Sequence, residues 1–141
     1  MKRLEQLLAI AGMVVCLVVT LLLWLSISAD QPMWPFPSFY FVELVLLSGV
    51  NAVLWALGKP SRIPINWAVT GIFCVFMLFG AFSVGFLYLP TVLIFGFLAI
   101  LADLRTKQKI GLHLVIFLIA GVLQAAYMFS IYKLFYLVTP F

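Results

Sequence analysis

The sequence predicts an all-α integral membrane protein: a bundle of about five transmembrane helices with its N-terminus in the cytoplasm. Three observations predict it. Of 141 residues, 67% are hydrophobic and only 9% are charged, against roughly 45–50% and roughly 25% in an average soluble domain. The apolar residues are gathered into runs long enough to cross a bilayer core about 30 Å thick, which takes about 20 helical residues. The basic residues fall almost entirely at the ends of those runs and in the breaks on one side, seven against one. Twelve Asp, Glu, Lys and Arg side chains cannot clothe a chain of this size in water. Composition therefore excludes a disordered chain, a collagen-like repeat, a disulfide-stapled secreted module and an ordinary cytosolic enzyme.

The first span is expected over residues 7–28, opened by Lys2 and Arg3 and closed by Asp30. Ser26-Ile27-Ser28 has the small-x-small form of a leader cleavage site. The apolar stretch from Leu7 to Leu25 is longer than a leader's apolar region, so a retained span is the expectation. The second span, 38–57, is interrupted only by Glu43 and Asn51 and stops at Gly58, with Lys59 and Pro60 beyond it. Asn66 is then placed to cap a third helix beginning at Trp67.

From Trp67 to Ala102 the chain runs 36 residues without a charge. One helix of that length would measure about 54 Å, too long for a single crossing, so the run must fold back. The break is expected at Gly85 to Pro90, because glycine reaches backbone angles closed to other residues and proline suits the first turn of a new helix. The third and fourth spans are thus 67–86 and 90–105, and the fifth is 110–131. A cytoplasmic N-terminus and five crossings put Lys2, Arg3, Lys59, Arg62, Arg105, Lys107 and Lys109 inside and only Lys133 outside, as the positive-inside rule requires. With four crossings the Arg105, Lys107, Lys109 cluster would fall outside. Trp24, Trp34, Tyr88, Tyr132 and Tyr136 fall near the expected outer boundary, and Trp55 and Trp67 near the inner one, as interfacial belts. The chain reads as one transmembrane domain, 1–141, without a soluble domain or an internal repeat. Short loops with this charge asymmetry suit a bacterial inner membrane.

Five polar residues are candidates for function. Glu43 lies inside the second span, where an ionisable group costs about 2–3 kcal/mol unless it pairs, faces the bundle or becomes neutral. One reading makes it a proton- or cation-coupled site, with Asn51 two turns further along the same face. The other pairs it with Lys133, taken to lie at a comparable depth on span five. Gln124 is mid-membrane in span five, with His113 three turns before it; the pair either lines a polar cavity or ties helices together by hydrogen bonds. His113, the only histidine, is placed to reach Asp103 across the fourth-to-fifth turn as a pH-sensitive latch or as a satisfied boundary residue. Cys16 and Cys74 belong to no C-x-x-C pair and read as reduced, buried and apolar.

Small residues mark candidate interfaces. Ala81 and Gly85, and Gly121 and Ala125, are spaced small-x-x-x-small, which lets helix backbones approach closely within one chain or between subunits. The loop Asp30 to Pro37 holds three prolines with Met33, Trp34 and Phe36, and reads either as a segment lying in the headgroup layer or as a docking surface centred on Trp34.

No nucleotide-binding loop, zincin helix, serine-hydrolase elbow or paired Asp-x-Asp is present. With four acids and one histidine, no catalytic, cofactor or metal site is expected. The Trp- and Pro-dense motifs of tryptophan-rich sensory proteins are absent. The membrane glutamate is in the second span, whereas small multidrug-resistance transporters carry theirs in the first. The expected role is a non-catalytic accessory or structural subunit of a membrane complex. The alternative is a small carrier or ligand-binding protein with a polar cavity around Glu43, Asn51 and Gln124, and a membrane enzyme resting on Glu43 or His113 ranks last. Expected partners are the bilayer and other membrane subunits or further copies of the chain; the basic charge is accounted for by topology, without nucleic acid.

Overall fold

The computed structural model describes residues 2–26, 38–80, 85–107 and 110–138. Among these there are five α-helices and no strand: α1 (Lys2–Ser26), α2 (Ser38–Ala56), α3 (Arg62–Phe79), α4 (Leu89–Thr106) and α5 (Ile110–Val138). A 3-10 turn, Gly85–Tyr88, leads directly into α4. All five helices are long and apolar enough to cross a membrane, counting the 3-10 turn with α4.

The first four helices close into a ring. α1 packs on α2 and α4, and α3 completes the ring between the same two neighbours. α5 stands outside it and docks principally on α3. Contacts between the start of α1 and the ends of α2 and α4 (Gln6 with Trp55, Glu5 with Arg105) fix the up-and-down order. That order gathers Lys2, Arg3, Lys59, Arg62, Arg105 and Lys107 at one end of the bundle, while Lys133 lies toward the other.

Helix ends follow local chemistry and correct several expected boundaries. α3 begins at Arg62, five residues before Trp67. Pro64 is tolerated there because the first turn of a helix has no use for its missing N–H. Asn66 is consequently inside the helix and caps nothing; the capping position is Ser61, whose side chain makes no cap bond. α3 ends at Phe79, short of the expected Phe86, where Gly80 N donates to Phe76 O at 2.9 Å and Gly85 N to Gly80 O at 2.8 Å. A Cβ on Gly85 would stand 2.6 Å from the Gly80 backbone, so only glycine permits this crossing. Pro90 falls in the first turn of α4 as the sequence suggests. Gly58 ends α2 with φ of 65°, a left-handed conformation natural to glycine. α1 begins before Leu7, and α5 runs on past residue 131 to Val138.

The core is assembled from small residues meeting large ones. α1 turns Glu5, Ala9, Gly12, Cys16 and Leu23 inward, a helical spacing that is mostly small. The gap at Gly12 is filled by the Phe95 ring, with which any Cβ would collide. Around Phe95 the rings of Phe73, Tyr88 and Phe76 pack edge to face, with centroids 5.4–6.1 Å apart. Toward the basic end Ala9, Trp55, Ile63, Trp67, Leu98 and Ala102 form a second cluster. Trp55, Trp67 and Tyr88 are therefore core residues, not the interfacial anchors that their sequence positions suggested: each is 6% exposed or less. Trp24 is on the surface.

α5 contrasts with the ring. Only 11% of its most apolar stretch is buried, and the inward positions are His113, Gly121 and Gln124. Its seat on α3 is a backbone contact: a Cβ on Gly71 would run into the Phe117 carbonyl oxygen, and one on Gly121 would sit 3.2 Å from the Val75 side chain. Gly85 and Gly121, candidate interface residues, thus serve packing within the chain. Ala125 lines a shallow apolar groove of about 280 Å³ between α3 and α5. Trp34 and Ala81 lie outside the described residues.

Candidate functional site

Polar side chains inside the helices fall into three groups, ordered here from the basic end. The first, around the end of α4, is Glu5 with Arg105 and, beside it, Asp103 with Trp67 and His113. Glu5 occupies the buried face of α1 at 1% exposure, and Arg105 comes from the last turn of α4. The guanidinium binds the carboxylate with two prongs, Nε to Oε1 at 2.5 Å and Nη2 to Oε2 at 2.7 Å. A planar fork on a carboxylate is the strongest form of this bond.

Asp103, two residues before Arg105 and fully buried, receives two partners. Trp67 Nε1 of α3 donates to Oδ2 at 2.9 Å, and His113 Nδ1 of α5 lies 2.8 Å from Oδ1. The reach from His113 to Asp103 that the chain spacing allows is thus made, and Trp67 joins it. Three helices are held at this one carboxylate.

The second group is the amide chain at mid-bundle. Asn51 Nδ2 of α2 donates to Asn66 Oδ1 of α3 at 2.7 Å, and Asn66 Nδ2 donates to the Phe95 carbonyl of α4 at 2.9 Å. Thr70 closes back onto the Asn66 carbonyl at 2.7 Å. Asn51 Oδ1 and Thr91 Oγ1 are buried without a partner. The hydroxyls of Thr20 and Tyr88 meet at 2.8 Å and tie α1 to the turn before α4.

The third group is Glu43 with Gln124. Gln124 Nε2 donates to Glu43 Oε2 at 3.3 Å, a long bond linking α5 to α2. Glu43 also opens onto a groove of about 360 Å³ walled by Phe39, Val42, Leu46 and Tyr127. Among the described residues no ion pair joins Glu43 to a cation. Lys133 lies nine residues beyond Gln124, about 13 Å at helical rise, so the comparable depth assigned to Glu43 and Lys133 does not hold. Glu43 and Gln124 are brought together; Asn51 is not with them, since its amide faces Asn66 in the ring interior.

A further cavity opens at the basic end. About 160 Å³ in volume, it is lined by Lys2, Glu5, Gln6, Trp55, Gly58 and Arg62. The Arg62 guanidinium lies over the Trp55 indole, 5.1 Å from the ring centroid, a cation–π arrangement. Trp55 Nε1 and Arg62 Nε are both buried without an acceptor, and each such orphan costs about 1–3 kcal/mol.

Sequence reasoning overlooked Glu5, Arg105, Asn66 and Trp67 as polar partners. A signal for Glu5 existed: it heads the small-residue stripe Ala9, Gly12, Cys16, which marks the inward face of α1. Nothing in the sequence distinguishes the Asn66 interior position from a helix cap. Among the described residues no group of three or more His, Cys, Asp and Glu converges as metal ligands would, and both cysteines are free. Comparison with known protein families, with curated proteins and with solved structures finds no match.

Proposed function

We propose that this chain is a multi-pass protein of the bacterial cytoplasmic membrane, with its N-terminus and basic end in the cytoplasm, acting as a non-catalytic accessory or structural subunit of a membrane assembly. The observation that carries this reading is how the polar side chains are spent. Glu5, Asp103, Asn51, Asn66, His113 and Gln124 each bond across to another helix. Polar groups in a transmembrane interior either tie helices together or mark a pathway, and bonds of this kind favour the tie. The nearly unburied α5, held to the ring by His113, by Gln124 and by the close contact at Gly71 of α3, supplies a broad apolar face for a neighbouring subunit or a second copy.

The test is extraction from the native membrane in a lipid-retaining polymer, followed by intact-mass analysis of everything that copurifies. The subunit reading expects companion polypeptides, or further copies of this chain, in fixed stoichiometry. A single chain carrying a reproducible small molecule would overturn it.

One observation favours a second reading, a small carrier or ligand-binding protein. Glu43 faces an aromatic-walled groove with no cation beside it among the described residues, as suits a lipid-soluble cation. Glu43→Gln then abolishes uptake into reconstituted vesicles while leaving the fold intact; unchanged flux removes this reading.

A further inference from the structure

We propose that the cavity at the basic end, between the start of α1, the end of α2 and the start of α3, binds an anionic phosphate group. The observations are independent of Glu43 and of the α5 face. The cavity walls carry two cations, Lys2 and Arg62, that pair with no acid among the described residues. Glu5, the acid in the wall, is already committed to both prongs of Arg105, so its charge is matched within the protein. What the cavity offers a ligand is therefore positive.

It also offers donors without acceptors. Trp55 is 2% exposed, and its Nε1, which can only donate, has no partner; the same is true of Arg62 Nε. The Trp55 ring holds the Arg62 guanidinium at this wall by a cation–π contact, and a guanidinium fork matches phosphate oxygens. Gly58 leaves space beside it: even a Cβ there would remain 3.5 Å from Arg62 Nη1. The volume, about 160 Å³, is below the roughly 300–1,000 Å³ of drug-sized ligand clefts. A cleft that small suits one tetrahedral anion and not a nucleotide. The source is either the headgroup of an anionic phospholipid, consistent with the basic end lying at a membrane surface, or free phosphate.

The experiment is thermal unfolding of the full chain in neutral micelles, titrated separately with dihexanoyl phosphatidylglycerol and with inorganic phosphate. A ligand that binds the folded chain stabilises it by RT ln(1 + [L]/Kd), so Tm begins to rise once the ligand concentration passes Kd. The expected result is a rise whose onset concentration shifts upward at least about tenfold in Arg62→Gln, through loss of the charged fork, and is unchanged in Lys133→Gln at the far end. Trp55→Phe, which keeps the ring and removes the N–H, shifts it by a smaller factor. If Arg62→Gln does not fold, Arg62→Lys carries the test, since it keeps the charge and loses the fork; a higher onset concentration is again expected. A rise with the lipid alone assigns the headgroup, and an equal Arg62-dependent rise with inorganic phosphate assigns the free anion. No rise with either probe, an onset concentration indifferent to the Arg62 variants, or an equal loss in Lys133→Gln overturns the proposal.

Discussion

Glu5 and Arg105 stand 100 positions apart in the chain and meet as a two-pronged ion pair that joins the first turns of α1 to the last turn of α4. The two partners are unequal: the Glu5 side chain is 1% exposed and that of Arg105 18%. Removing one partner of a buried pair strands the other, and the cost depends on whether the survivor can reach water.

Arg105→Leu is therefore expected to destabilise more than Glu5→Leu, because Glu5 has no route to solvent and Arg105 does. The expected loss for Arg105→Leu is about 3 kcal/mol, at the lower end for buried pairs. The double variant should recover most of it. Denaturant unfolding of the four proteins in micelles measures the coupling; equal single losses that simply add would contradict the pairing.

The amide chain and the Glu43–Gln124 bond should rank differently. Asn66 makes two short bonds and holds Asn51, so Asn66→Leu strands a buried amide at about 1–3 kcal/mol. The single bond of Gln124 is 3.3 Å long, and Gln124→Leu should cost no more than about 0.6 kcal/mol, the average for such bonds between membrane helices. The same unfolding assay decides, and a larger loss for Gln124→Leu would show that α5 depends on Glu43 more than its geometry implies.

Two glycines give opposite expectations for one substitution. At Gly71 an alanine methyl meets the Phe117 backbone, which cannot swing aside, so Gly71→Ala should cost about 1–3 kcal/mol and loosen α5. At Gly49 in the middle of α2 nothing stands within 4 Å of the added carbon, so Gly49→Ala should stabilise by about 0.5–1 kcal/mol. Thermal unfolding of both variants checks the signs.

What the sequence made legible was whatever depends on a run or a break. Five apolar stretches, a fold-back within the long uncharged run with Pro90 in the first turn of α4, the stop at Gly58 and the gathering of basic residues at one end all follow from local composition, and the fold has them, although the fold-back comes before Gly85 and not after it. The third helix was misplaced because the loop holding Pro60, Arg62 and Pro64 reads as a break, although a first helical turn accepts proline and arginine without penalty. Aromatic residues near span ends read as surface anchors, yet the interior needed their volume opposite Ala9 and Gly12, and drew in Trp55, Trp67 and Tyr88. Partner choice was least legible. Asn51 has the right spacing to stand with Glu43 along α2, but which face of α2 meets α3 is decided by packing across the ring, and there Asn66 takes it. Likewise Lys133 is opposite in charge to Glu43 but is separated from it by helical rise, which charge counting does not register.

Five spans threading the membrane with the basic end in the cytoplasm is a topology open to direct labelling. Single cysteines at Ser61, Thr106 and Lys133, in a chain with Cys16 and Cys74 replaced, tested with a membrane-impermeant thiol reagent on intact cells and on opened membranes, address it most directly. Lys133→Cys is expected to react on intact cells, whereas Ser61→Cys and Thr106→Cys react only once the cytoplasmic side is opened. Labelling of position 61 or 106 from outside, or of 133 and 106 from the same side, would contradict it.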